Sequence, residues 1–600
     1  MTLFKNSEEI PTDVQFRLPI EYLSKEKNHY LEPNIVSDLE LCEGTGIWAE
    51  EDMKPMYSCI TSGVSYNKLT SATRGLHNRL AVKYTTDVNF LHESGEIIDK
   101  IGISKKESSN AVTAMPEEIY KQMEDLKGDA NFLENYYYME WEMFKNLNKS
   151  APFLQTLYTM NMLSPILTLL SPLSVFITPF FILQFTSRFT GNTITWDIYW
   201  SIVRSLIKEL AIVKLFYISP SKQSLRDILT TLLYAIIYIY TSYQNTIACI
   251  NFHKKVAQVH KFIADIRNFI ASSQADVRWW LDNVPDVPTH SPFRESLKRH
   301  QGTMCNLSDK LNTVPMKWTL FDFKAVSQIG QTMAIFYEMR HDDTWFWTIK
   351  YASEFNTYMT FMRELGQKHA EGKLTKAIIK DDKLDTGKGI KFIKNYYAPL
   401  AVNMDSPVKN TVVMRDKNLI ISGPNASGKT TYMKSVLLNI IFTQQFGIGC
   451  YGAGSSLKPF CHLHCYLNIP DTSGRDSLFQ AEARRCKNIL DIIKGDSRRH
   501  FIIFDELFSG TNPEEAVKSS TGFIKYLSKI PQVVFMLTTH YRAVCKKAAN
   551  GCENIQMAVK KRDDGGLQYT YRATPGISKV KGGEFVLKEL GYPIEVTNNE

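Results

Sequence analysis

Apolar positions recur at helical spacing through much of the chain before residue 380 and then change to short unbroken runs. Val256, Val259, Phe262, Ile263, Ile266 and Ile270 lie three and four residues apart among charged neighbours, the pattern of one buried helical face. Helices are predicted on this basis over residues 254–379, with a break at the proline-containing stretch 284–292. A polar run at 380–391 precedes the change of period. Residues 417–422, 501–504 and 532–537 are short and apolar, as parallel strands buried on both faces are. Residues 431–442 read as a helix after the first of them. The chain shows no internal repeat and no long low-complexity tract.

Two stretches lack charge altogether. No Asp, Glu, Lys or Arg occurs in residues 150–187, and 162–185 within them is long and apolar enough to cross a bilayer core of roughly 30 Å. Residues 228–251 form a second run of similar length, with tyrosines suited to the headgroup level. Together they predict a transmembrane hairpin. Between them, Ile202, Leu206, Leu210, Ile212 and Leu215 alternate at helical spacing with Arg204, Lys208, Glu209 and Lys214, as in an interfacial amphipathic helix over 200–216. A buried helical core is the competing reading, because Pro165, Pro172 and Pro179 interrupt the first run. The uncharged span is longer than a typical buried helix, which favours the membrane. The connecting loop carries Arg188, Arg204, Lys208, Lys214, Lys222 and Arg226, which offends the positive-inside tendency unless that loop is interfacial or the first run is re-entrant.

Composition narrows the class only slightly. Six hundred residues exceed one hydrophobic core and suggest three to five domains. With 44% hydrophobic and 22% charged residues, wholesale disorder is excluded. A net charge of +8, from 70 basic and 62 acidic residues, permits nucleic acid without demanding it. Ten cysteines without a regular framework read as reduced thiols, and residues 1–40 hold no apolar stretch of signal-peptide length.

The predicted strand at 417–422 runs into Gly423-Pro424-Asn425-Ala426-Ser427-Gly428-Lys429-Thr430, which matches GxxxxGK[ST] and leads into Thr431 and the predicted helix. Strand, glycine loop and helix are the context in which this pattern binds phosphate. Gly423 and Gly428 let the backbone turn its amides toward the anion, Lys429 reaches the β and γ phosphates of ATP, and the Thr430 hydroxyl holds Mg2+. The run at 501–504 ends in Asp505 and Glu506, at the strand edge where α/β folds place ligands. Asp505 is the expected Mg2+ partner and Glu506 the expected general base. His540, after the strand at 532–537, is expected to sense the γ phosphate or position water. An ATPase of this kind implies the cytoplasm or nucleus for this end of the chain.

Four separated sites resemble the MutS mismatch-repair family: Ile421-Ser422-Gly423-Pro424-Asn425, then Gly428-Lys429-Thr430-Thr431-Tyr432-Met433, then Asp505-Glu506 followed by Gly510-Thr511, then Thr539-His540-Tyr541. Asp476-Ser477-Leu478-Phe479-Gln480-Ala481-Glu482, with Asn488-Ile489-Leu490, is similar to the family's signature segment, in which the serine reaches the γ phosphate of the partner subunit. The resemblance therefore implies a homodimer with Ser477 acting in trans. Gly582-Gly583-Glu584-Phe585 and Gly591-Tyr592-Pro593 resemble the segment that closes the family's ATPase domain, and 35–41 resembles the opening of its helical core.

The implied architecture is an α/β P-loop NTPase domain, ABC/MutS-like, at 395–600, attached to a mainly α-helical core or lever. The helical parts are 33–150 and 254–385, the candidate hairpin is 151–253, and an extension covers 1–32. Family membership implies duplex DNA as a partner, in mismatch repair or recombination. The chain departs from the family in three ways: no Phe-x-Glu wedge occurs in 1–32, the apolar runs have no counterpart in typical members, and Pro407 stands where an adenine-stacking aromatic is expected, leaving Tyr396 or Tyr397 as substitutes. A membrane-anchored mechanochemical or scaffolding ATPase without mismatch recognition is the alternative. Cys461-His462-Leu463-His464-Cys465 is not read as a zinc site, because strand alternation sends its cysteines and histidines to opposite faces. The aromatics 136–141 are read as helix packing.

Overall fold

A computed structural model of the 600-residue chain describes residues 14–42, 54–103, 117–190, 195–209, 225–315, 327–381, 387–403, 407–467, 477–562, 567–580, 585, 587, 590 and 592–593. The chain divides into two compact units. One contains Glu118–Ser272 and Gly302–Ile349; the other contains Glu9–Glu117, Ser273–Gln301 and Lys350–Glu600.

The first unit is helical, with Ala151–Leu170, Ser174–Thr190, Trp196–Glu209, Ile329–His341 and the larger part of Leu225–Asn283. The two apolar runs meet here. Tyr238 donates to the carbonyls of Thr168 and Leu169, and Asn245 to the Thr168 hydroxyl. The first run is not one straight helix: it bends by 96° between Leu170 and Ser174, where the segment Ser171–Leu173 contains Pro172. Proline removes an amide donor, which favours a break in the helix there. The second run is the opening of the 59-residue helix Leu225–Asn283, and its tyrosines, Gln244 and Asn245 dilute its apolarity. Among the described residues no single helix is long and apolar enough to cross a membrane; one bent pair, Ala151–Leu170 with Ser174–Arg188, reaches that length and composition. This corrects the expectation of two transmembrane helices. The amphipathic segment forms the helix Trp196–Glu209, and residues 210–216 lie outside the described part.

The aromatics 136–141 are not helical. They follow the short helix Phe132–Asn135, where Tyr138 is buried and donates to the Met333 carbonyl at 2.7 Å while Trp141 stays 71% exposed.

The second unit holds the sheet that the apolar runs predict. Its strands are β1 (Asn418–Ser422), β2 (His462–Tyr466), β3 (His500–Asp505), β4 (Val533–Thr539), β5 (Cys552–Lys561) and β6 (Leu567–Pro575), in spatial order β2-β3-β4-β1-β5-β6. All neighbours are parallel except β5 and β6. Phe501 to Phe504 are fully buried, as strands covered on both faces must be. Helix α1 (Lys429–Phe446) follows β1, α2 (Leu478–Gly495) precedes β3, and α3 (Pro513–Ser528) lies between β3 and β4. Helix α1 is buried along almost its whole length, and several of its polar side chains bond backbone groups nearby. Gln444 donates to the carbonyls of Thr85 and Phe460, Gln445 to those of Leu80 and Lys83, and Asn439 accepts from the Cys450 amide. These bonds fix N-terminal residues of the same unit against the helix that starts at Lys429.

The predicted helical stretch 254–379 divides at 284–290 as the proline spacing requires, yet its end is extended. Thr375–Lys376 and Ile378–Ile379 pair with Ile448–Gly449 and Ser456–Leu457, in two small sheets beside the main one. Ile390–Asn395, which begins inside the polar run, is also a strand and pairs with Asn410–Met414.

Candidate functional site

Register aligns the carboxyl edges of three central strands. Asp505 at the end of β3 lies opposite Thr538, and Thr539 lies opposite Ser422 at the end of β1. Loops leaving this edge converge, as they do where parallel sheets hold ligands.

Between β1 and α1 the chain turns through residues 423–428. Gly428 adopts φ 89°, which favours glycine, and a Cβ added there would crowd the Tyr571 ring at 3.1 Å. Asn425 and Ala426 form the exposed tip, Ala426 with φ 60°. The buried Ser427 hydroxyl donates to the Pro424 carbonyl at 2.7 Å. Lys429 opens α1, is only 5% exposed, and donates to the Pro424 carbonyl at 3.1 Å. Burial holds its pKa below the usual lysine range, while Glu506 and Asp505 pull the other way.

The acidic edge is tied to this loop. Thr430 donates to both Asp505 carboxylate oxygens, at 3.1 and 2.9 Å, and the Thr538 hydroxyl bonds the same carboxylate. Glu506 leaves the sheet with φ 51°, its amide held by the Thr538 carbonyl and hydroxyl. Its carboxylate lies 2.5 Å from His540 Nε2 and 4.0 Å from the Lys429 ammonium. The His540 hydrogen bond is the main reason its pKa falls below the ordinary carboxylate value, against the opposing effect of burial. The structure thus gathers Gly423 to Thr431, Asp505, Glu506 and His540 at one edge.

Ser477 caps α2: its hydroxyl accepts from the Gln480 amide at 3.3 Å, and its own amide donates to the Gln480 side chain at 3.0 Å. Asp476, Gly582, Gly583, Glu584 and Gly591 lie outside the described residues.

The expected aromatic substitutes are elsewhere. Tyr396 is buried and its hydroxyl bonds the Lys373 carbonyl, and Tyr397 is pushed up in pKa by burial. The aromatic ring at the loop belongs to Tyr571 on β6, which sequence reasoning missed. It is 47% exposed, has φ 55°, and its carbonyl accepts from Asn410, the residue at the end of the segment where an aromatic was sought. Among the described residues, four of the seven non-glycine residues with positive φ, Ala426, Glu506, Phe508 and Tyr571, lie in this neighbourhood. Such backbone costs of order 1–3 kcal/mol per residue and collects at functional sites.

The histidines of the 461–465 segment make a hydrogen-bonded stack. His464 contacts His500 at 3.2 Å and Glu32 at 3.1 Å, and His462 contacts Asp496 at 2.7 Å. Arg485 of α2 also donates to Glu32, so the cluster fastens Glu32 to the sheet edge. Among the described residues no group of three His, Cys, Asp or Glu is arranged to hold a metal ion.

The profile of MutS domain V matches residues 419–600. Endonuclease MutS2 of Staphylococcus haemolyticus (strain JCSC1435) is 29% identical over 209 residues, covering 34% of this chain and 26% of that protein. Endonuclease MutS2 of Staphylococcus aureus (strain bovine RF122 / ET3-1) is 25% identical over 362 residues, 56% of this chain and 45% of that protein. The Staphylococcus aureus strain Newman protein of the same name is 29% identical over 228 residues, 38% and 28% respectively. The chain thus spans less than half the length of these relatives. Residues 419–600 thus match a MutS domain V, and similarity to MutS2 proteins extends beyond that domain, over 56% of the chain.

Proposed function

We propose that this chain hydrolyses ATP at composite sites formed by two copies of itself and couples that chemistry to DNA. The observation that carries the reading is the convergence of a buried ammonium, a Thr-Asp pair and a His-held carboxylate around the glycine loop. The residues suit a magnesium nucleotide: open amides at the start of α1 suit an anion, and Thr430 with Asp505 offers the hard oxygen ligands that Mg2+ takes beside its waters. Mg2+ bound there would neutralise charge on the phosphates. Lys429 binds the β and γ phosphates, Glu506 accepts the proton of the attacking water, and His540 orients Glu506. The exposed ring of Tyr571 offers a stacking face for the base. Ser477 completes the partner copy's site, a role that rests on the family resemblance. DNA as the coupled ligand rests on the MutS2 relatives.

The test is ATP turnover per subunit against protein concentration, with and without duplex DNA. Turnover should rise as dimers form and rise again with DNA, the DNA effect falling steeply with salt. Ser477→Ala should flatten the concentration dependence while leaving ATP affinity intact. Turnover independent of both concentration and DNA would sink the composite-site reading.

A second reading, membrane attachment of the first unit, is favoured by one observation. Ile166, Leu169, Phe181, Phe185, Ile236 and Ile239 on the paired apolar runs are 52–66% exposed. Exposed apolar side chains gathered on paired elements suggest something that covers them. A bilayer is the occupant proposed, because Trp196 and Trp200 lie with exposed Arg204 and Lys208 on the nearby amphipathic helix, the composition of an interfacial element facing anionic headgroups. The full chain should float with anionic liposomes and resist carbonate extraction. Protein that stays at the bottom of the gradient without detergent would dismiss the bilayer.

A further inference from the structure

The helix that begins at Ser477 is fastened to the loop that carries Glu506. Glu482, one turn into α2, is 2% exposed, and its carboxylate is turned onto that loop. One oxygen accepts from the Ser509 amide at 3.0 Å and from the Ser509 hydroxyl at 2.9 Å; the other accepts from the Gly510 amide at 3.1 Å. The same loop abuts the first turn of α2. A Cβ on Gly510 would stand 2.7 Å from Leu478 Cγ and 2.8 Å from the Phe479 amide nitrogen, and the rings of Phe479 and Phe508 lie 5.7 Å apart. The loop it grips is a strained one, with φ 51° at Glu506 and 58° at Phe508. A buried carboxylate is expensive and is retained where its hydrogen bonds are used.

We infer that Glu482 is a positioning residue that couples Ser477 to Glu506, so that the nucleotide on the partner copy sets hydrolysis in this one. The inference rests on the composite-site reading above. A pull on Ser477 by the partner's γ phosphate moves the first turn of α2, and the carboxylate of Glu482 together with the Leu478–Gly510 contact carries that movement into residues 508–510. Glu506 lies two residues before them, on backbone that only an imposed geometry keeps left-handed. Three bonded donors and a contact that excludes even one methyl group make the link stiff.

Glu482→Gln tests it. An amide nitrogen replaces one acceptor oxygen, leaving an amide or hydroxyl of the loop facing a donor, with little change of volume. Expected are ATP affinity within about threefold of wild type, a kcat lowered about a hundredfold, and turnover per subunit that no longer rises with protein concentration. Gly510→Ala disturbs the same contact from the loop side and should give the same pattern; whichever variant retains the wild-type unfolding temperature decides. A folded variant with wild-type kcat and wild-type concentration dependence overturns the inference. Absence of ATP turnover in the wild-type chain would instead overturn the proposed function.

Discussion

Glu506→Gln is expected to lower ATP turnover by about 10²–10⁴-fold while ATP is still bound, the contribution a positioned general base would make. Gln keeps the volume of the side chain and its bond to His540 but cannot take a proton from water. Single-turnover hydrolysis alongside equilibrium nucleotide binding separates the two effects, and unchanged hydrolysis would remove Glu506 from the reaction. The pH profile gives a second reading. His540 at 2.5 Å holds the Glu506 pKa below the ordinary carboxylate value of about 4.3. The base is therefore ionised from neutral pH down through that range, and activity is lost only as pH falls through the depressed value. His540→Ala removes the main cause of the depression, and the acid limb of kcat should move upward in pH.

What the sequence made legible, and what it hid, follows from the range of the interactions involved. Residues 417–422, 501–504 and 532–537 were readable as strands because burial on both faces leaves an unbroken apolar run, and the structure places β1, β3 and β4 on them within a residue or two. The glycine loop was readable because its spacing encodes a backbone shape. Tyr571 was not, because its place at Gly428 depends on β6 turning back antiparallel beside β5, which in turn lies beside β1. No local pattern in Leu567–Pro575 states that neighbour. The role of Glu482 was hidden for a related reason: its partners at 509 and 510 lie beyond a strand, and a lone glutamate in an amphipathic helix ordinarily faces water. The aromatics 136–141 lie outside any helix, with Tyr137 at φ 57°, yet they pack on helices as their density suggests, Tyr136, Tyr137 and Tyr138 against Phe336, Phe252 and Tyr337.

The apolar runs show where hydropathy alone is insufficient. Residues 162–185 satisfy a length criterion, but three prolines decide whether that length is straight, and a 96° bend at Ser171–Leu173 is the result. Residues 228–251 continue without interruption into a helix ending at Asn283, so the sequence of one element serves two environments: exposed Ile236 and Ile239 near its start, fully buried Ile263, Ile266 and Ile270 further along. An average over the run cannot distinguish a face that is covered from one that is not.

Lys429→Met should remove most of the stabilisation that Mg-ATP gives the chain while leaving the nucleotide-free fold as stable as wild type or more so. Removing a buried ammonium from a phosphate contact costs about 2–5 kcal/mol, a loss of roughly thirtyfold to several thousandfold in affinity. The nucleotide-free effect has the opposite sign. Lys429 is 5% exposed, its hydrogen bond goes to a neutral carbonyl of its own loop, and the Glu506 carboxylate stands 4.0 Å away. Burial lowers its pKa, meaning that the folded state disfavours the charged form it carries at neutral pH. Methionine keeps the apolar stem and removes that burden. Thermal unfolding with and without Mg-ATP reads both halves: at a hundred times the wild-type Kd the wild type should gain about 2.7 kcal/mol and the variant less than about 1 kcal/mol. A variant that keeps the ATP-induced gain would mean that phosphate is held elsewhere. One that unfolds several degrees lower without nucleotide would mean that the bond from Lys429 to Pro424 is structural, and that the loop is not waiting for an anion.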